Sequence, residues 1–196
     1  MLRGSGLGRS LFFFRSPIRK ATRPNLRPMV IDAIRLLLFP ALIAFAASSD
    51  LLTMTISNRI SMALAGGFLL LALLGGMPFT AIGLHLLAAL LVLAIGFGCF
   101  AMGWIGGGDA KLAAAIALWF GFDYLLEFLV YASLFGGVLT ILLIQFRLLP
   151  LPGVLARQAW ILRLHEKGGG VPYGVALAAA ALFVYPQTGW MSALAT

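Results

Sequence analysis

Asp109 stands directly after three glycines, in Trp104-Ile105-Gly106-Gly107-Gly108-Asp109-Ala110-Lys111-Leu112. This stretch joins two long apolar runs, one ending near Met102 and one beginning at Leu112. A carboxylate at the edge of lipid-embedded helix is costly and usually functional. One other acid has a comparable place: Asp50, at the end of the first apolar run. Two aspartates at helix ends, one of them in Gly-x-Gly-Asp, point to acid–base chemistry inside a membrane.

Composition says what must position them. Of the 196 residues, 62% are hydrophobic and only 10% are charged, with mean hydropathy +1.04. A soluble domain is nearer half apolar and a quarter charged. The chain therefore reads as all-α, a polytopic membrane bundle of about six transmembrane helices, because lipid leaves no partner for unpaired backbone groups. A barrel would need short alternating strands, whereas these apolar runs are long and continuous. The net charge of +8 does not indicate nucleic-acid binding: seven of the fourteen basic residues lie in the first 27 positions, from Arg3 to Arg27, with no acid among them. Cys99 is the only cysteine, which excludes a disulfide frame and a cysteine zinc cluster.

Spans are expected at about Ile31–Ser49, which contains Pro40, Ile60–Leu74, Pro78–Met102, Ala110–Phe120, Tyr124–Phe146 and Val171–Tyr185. At ~1.5 Å per residue the fourth is too short to cross a ~30 Å core. Its start must lie below the membrane surface, or its helix must continue past Gly121. A cationic loop runs from Arg147 to Gly170. The glycines at 66–67, 96, 98, 103 and 136–137 allow close helix approach.

Six spans place Arg59, Lys111, Arg147, Arg157, Arg163 and Lys167 on one face, with both aspartates, and no lysine or arginine in the opposite connections. The positive-inside rule makes that face cytoplasmic. Residues 1–28, Arg-rich and acid-free, would then lie outside. They can be read as a tail on anionic lipid, as a targeting segment, or as untranslated sequence before a start at Met29. The topology favours the last, leaving 29–196 as one membrane-embedded domain, although Arg35 remains on the outer side.

Met102-Gly103 followed by Gly106-Gly107-Gly108-Asp109-Ala110-Lys111-Leu112 resembles the Gly-x-Gly-Asp-x-Lys-Leu motif of the prepilin (type IV leader) peptidases. Asp50, with Ile56-Ser57-Asn58 after it, resembles that family's first motif, an aspartate with Ile-Pro-Asn ending eight residues on. Ser57 replaces the usual proline. Val171-Pro172-Tyr173-Gly174 resembles the Pro-Tyr-Gly entry to the last span. The resemblance runs from about Ile31 to the C terminus, and in size the chain is similar to the short peptidases of Flp (Tad) pilus systems. Larger members add a cytoplasmic domain with paired cysteines and N-methylate the new pilin terminus. This chain has neither feature, so methyltransferase activity is not expected.

The resemblance implies an inner-membrane endopeptidase that removes the basic leader of a pilin precursor carrying a hydrophobic helix. Its catalytic pair would be Asp50 and Asp109. Gly106, Gly108, Lys111 and Asn58 would lie near the substrate, and neither metal nor cofactor would be required. Two carboxylates held close in a poorly hydrated site cannot both ionise cheaply, so a shared proton is expected. One member could take a proton from water and the other give one to the scissile carbonyl; roles belong to the pair rather than to either residue. Alternatives remain: Asp109 as a helix N-cap, Lys111 as a snorkelling cation, Asn58 as a loop cap and Arg59 as a topology charge. A proton-coupled transporter would use the same aspartates as a relay, but would be expected to show two repeated halves. A noncatalytic pilus-assembly subunit is a third reading. Oligomeric state is not legible.

The other polar residues read as structure. Asp32 and Arg35 are placed to pair, Asp123 and Glu127 to anchor the far interface, and His85 to make a helix-packing hydrogen bond. Trp104, Trp119 and Trp190 are placed as interfacial belt residues.

Overall fold

The computed structural model describes residues 26–192, omitting the side chains of 26–33, 35 and 192. The basic tail up to residue 25 and the expected Asp32–Arg35 pairing fall outside what is described. The elements are α1 (Leu26–Thr53), α2 (Asn58–Leu74), α3 (Phe79–Ala101), α4 (Gly107–Leu148), a 3-10 turn (Leu155–Arg157), α5 (Ala159–His165), α6 (Tyr173–Val184), a second 3-10 turn (Tyr185–Gln187) and α7 (Gly189–Ser192). No strand occurs among the described residues, and the all-α membrane bundle expected from composition is what forms.

Three helical stretches are long and apolar enough to cross a membrane: Leu36–Thr53, Phe79–Ala101 and Gly107–Leu148. Asn58–Leu74 and Tyr173–Gln187 are shorter apolar helices. The third long stretch is two helices fused at Gly121, whose φ of 60° and ψ of −167° break the helix. Only glycine takes up that region without strain. The first half packs along α3, with Ala110 against Gly96 and the Leu118 carbonyl 2.7 Å from His85 Nδ1. The second half returns along α6: the Tyr124 hydroxyl donates to the Gln187 carbonyl at 2.6 Å, and Gly136 lies against the Tyr173 ring. The chain thus reverses at Gly121, between the fourth and fifth expected spans, and the aspartate end of α4 faces the start of α6.

The bundle interior holds Phe39, Ile43, Phe68, Trp119, Phe120 and Phe128, all fully buried. Phe39 lies 5.0 Å from Trp119 and 4.6 Å from Tyr185 between ring centroids. In lipid such packing is driven by van der Waals fit and by hydrogen bonds rather than by water exclusion. Trp119 corrects the sequence reading. It is a core residue, 0% exposed, whose Nε1 donates to the Leu64 carbonyl at 2.9 Å. Trp190 is half-buried and donates to the Trp119 carbonyl at 2.8 Å. Of the three, only Trp104 stays exposed. The glycines divide as well. Gly67, Gly96 and Gly136 sit under a neighbouring side chain or backbone, whereas Gly66, Gly98, Gly103 and Gly137 face open space. Asp123 and Glu127 lie at the far end, where Gln187 Nε2 donates to Glu127 Oε1 at 3.1 Å.

Candidate active site

Asp50 is in the last turn of α1 and is only 5% exposed. After Thr53 the chain turns at Met54, whose φ of 53° is left-handed. Its N–H donates to the Asp50 carbonyl at 2.8 Å and closes the helix. This turn carries Ile56 back into the bundle. Ser57 then caps α2, its hydroxyl accepting from the Arg59 N–H at 3.3 Å.

Asp109 enters from the other direction. Gly106 is the N-cap of α4, so Asp109 is the third helical residue and not the cap that its position after the glycines suggested. Its carboxylate accepts from the Gly106 N–H. This is the returning half of a capping box, which satisfies an otherwise orphaned donor. A methyl group on Gly106 would stand 2.8 Å from Asp109 Oδ2. On Gly108 it would stand 3.2 Å from Ile56 Cβ. The two glycines are therefore contact surfaces, one for the carboxylate and one for the loop after Asp50.

The third contributor is α6. Gly174 donates its N–H to Asp50 Oδ2 at 2.7 Å. A side chain there would meet Asp50 Oδ2 and Ile56 Cδ1, each at 2.8 Å. Ile56 is therefore wedged between Gly108 and Gly174, joining all three segments. Asp50 and Asp109 lie close enough to interact electrostatically. Two carboxylates at one poorly hydrated site can share a proton and so offer both a base and an acid.

Of the remaining expected residues, Lys111 and Asn58 are brought together: Nζ donates to Oδ1 at 2.9 Å. This joins the two motifs directly, and both side chains are exposed. Among the described residues no cluster of three His, Cys, Asp or Glu side chains could hold a metal ion.

Sequence reasoning missed the fastening of the cationic loop. Arg163 Nη1 donates to the Leu52 carbonyl at 2.6 Å, two residues from Asp50. Arg147 donates to the Leu164 and Gly170 carbonyls at 2.8 and 2.7 Å. These cations tie residues 149–172 beside the site, a role that charge counting could not distinguish from topology. Gly174 as a donor was also missed, although Pro-Tyr-Gly marked its position.

The model of the type IV leader peptidase family matches residues 37–141, more than half of the chain. The chain belongs to that family. Neither a curated protein nor a solved structure matches it. The matched region of this type IV leader peptidase family member holds Asp50, Asn58 and Gly106 to Lys111, and ends before Gly174. Membership makes the protein a leader peptidase-like protease in a family of aspartic-type enzymes that act on pilin precursors. Its apolar helices make it a membrane protein.

Proposed function

We propose that the protein is an aspartic-type endopeptidase that cuts the basic leader from pilin precursors of the Flp type, with Asp50 and Asp109 as the catalytic pair. The observation that carries this reading is the meeting of the two aspartates, from the ends of different helices, around Ile56. One carboxylate takes a proton from water as the oxygen attacks the scissile carbonyl carbon. The other gives its proton to the carbonyl oxygen. Collapse of the tetrahedral intermediate breaks the C–N bond, and the departing amine takes up a proton. The Gly174 N–H, bonded to Asp50 Oδ2, holds one carboxylate in register for this exchange. Lys111 and Asn58 hold the two aspartate motifs together from the opposite face of α4.

The site opens to the cytoplasm of a bacterial inner membrane, where a basic leader waits before cleavage. Arg59, Lys111, Arg147, Arg157, Arg163 and Lys167 on the same end of the bundle support this orientation. Residues 29–196 form the peptidase unit.

Co-expression with a candidate Flp prepilin tests the reading, with cleavage followed as a mobility shift in wild type, Asp50→Asn and Asp109→Asn. Wild type cleaves and both variants leave the precursor intact. Cleavage that persists in both would sink the assignment of the pair. Labelling of Gln158→Cys in a Cys99→Ser background, from the cytoplasmic side only, tests the orientation.

A further inference from the structure

On the outer side of α4, α2 and α3 diverge. They are joined by a short turn at residues 75–78 and barely touch one another, yet both pack on the first half of α4. The result is a slot of about 420 Å³. Its walls run from Asn58 to Ala65 on α2 and from Leu86 to Leu93 on α3, and its floor from Lys111 to Leu118 on α4. Each helix contributes residues spaced i, i+3, i+4 and i+7, so the slot follows the helix axes for about two turns, or ~11 Å. It is apolar along its depth and polar only at the aspartate end of the bundle.

That end has unspent hydrogen-bonding and charge. Lys111 Nζ donates to Asn58 Oδ1, and no acid pairs with it among the described residues. Arg59, next to Asn58, is exposed. A lysine at the end of an apolar slot attracts an anion. The occupant must therefore be apolar along its length and carry an anion or acceptor at one end.

We propose that this slot binds one acyl chain of an anionic phospholipid, with the headgroup at Lys111 and Arg59. The slot runs along the axes of the surrounding helices, as a lipid chain does, and its charged mouth lies at the start of α2, where the chain leaves the apolar layer. A substrate helix fits less well. At 3.6 residues per turn, Asp109 and Lys111 point ~200° apart, so a helix in the slot would lie across α4 from the aspartates. The lipid would wedge α2 from α3 and hold the Lys111–Asn58 contact that joins the two motifs.

Native mass spectrometry of the detergent-purified full chain, loaded with phosphatidylglycerol or phosphatidylcholine, tests the site without any activity readout. Wild type retains one phosphatidylglycerol and releases phosphatidylcholine. Lys111→Gln, at the mouth, and Ala115→Leu, in the slot, each weaken retention about tenfold. Leu90→Trp, on an exposed rim position, blocks the same slot should the Ala115 variant fail to fold. Equal retention of the two lipids, or retention unchanged in all three variants, overturns the proposal. A photoreactive benzoylphenylalanine at Leu90 in native membranes gives an adduct of phospholipid mass. An adduct formed only with a pilin precursor or with a second copy of the chain would assign the slot to that partner instead.

Discussion

The backbone N–H of Gly174 donates to Asp50 Oδ2 at 2.7 Å, across 124 residues of chain. This bond ties the end of α1 to the start of α6, and it exists because Gly174 has no side chain. A methyl group there would stand 2.8 Å from the same oxygen and from Ile56 Cδ1.

Gly174→Ala should therefore displace the Asp50 carboxylate rather than unfold the bundle. A misplacement of ~1 Å can cost about 100-fold in rate, and a loss between ~10- and ~100-fold is expected here. Precursor cleavage measured beside the thermal midpoint checks this. A large fall in midpoint with the rate per folded molecule intact would show that Gly174 serves stability alone.

The two aspartates should behave as one unit. Asp50→Asn or Asp109→Asn alone is expected to lower cleavage by at least ~10³-fold, and the double variant should be no worse than the poorer single one, because groups that act together are strongly non-additive. Single-turnover cleavage of a purified precursor gives the comparison. Multiplying effects would mean that the two act independently.

Lys111 and Asn58 join the motifs through a 2.9 Å hydrogen bond. In a double-mutant cycle of Lys111→Met and Asn58→Ala, read by thermal unfolding in detergent, a coupling of ~0.5–1.5 kcal/mol is expected, the worth of one hydrogen bond. Additive losses would show that the contact contributes nothing to the fold.

Gly121→Ala tests the reversal within α4. The added methyl group would stand 2.9 Å from the His85 ring, and the backbone there has φ of 60°. Strain of this kind costs ~1–3 kcal/mol, so the thermal midpoint should fall. Because His85 also contacts the Leu118 carbonyl, the comparison is made within a His85→Ala background, where Gly121→Ala should lose the part of its cost due to the clash and keep the part due to φ. No cost in that background would place the whole effect in the contact.

Trp119→Phe removes the bond to the Leu64 carbonyl together with one ring of a fully buried indole. Interhelical hydrogen bonds within membranes average ~0.6 kcal/mol, with a maximum of ~1.7. A loss above that range, by unfolding in detergent, is expected, because the smaller ring also leaves a cavity in the core. A loss confined to that range would mean that the neighbouring rings close over the missing one.

Much of this protein was legible in its sequence. Long apolar runs with few charges admit only a helical bundle in lipid, because every backbone donor must be satisfied within its own segment. The spacing from Asp50 to Asn58, and the glycines before Asp109, marked both carboxylates. The shortness of the run from Ala110 to Phe120 required an unusual course near Gly121. Contacts between distant segments were not legible. Whether a tryptophan between apolar residues faces lipid or core depends on which neighbour covers it, so Trp119 read as a belt residue until α2 was placed against it. Glycines 67 and 98 look alike in the chain; only packing decides that one lies under Leu38 and the other faces open space. Arg147 and Arg163 counted as topology charges, and only the fold brings the Gly170 and Leu52 carbonyls within reach of their guanidinium groups. Residue type and local spacing determine which groups can do chemistry. The partner of a carboxylate 124 residues away is decided by how the helices pack.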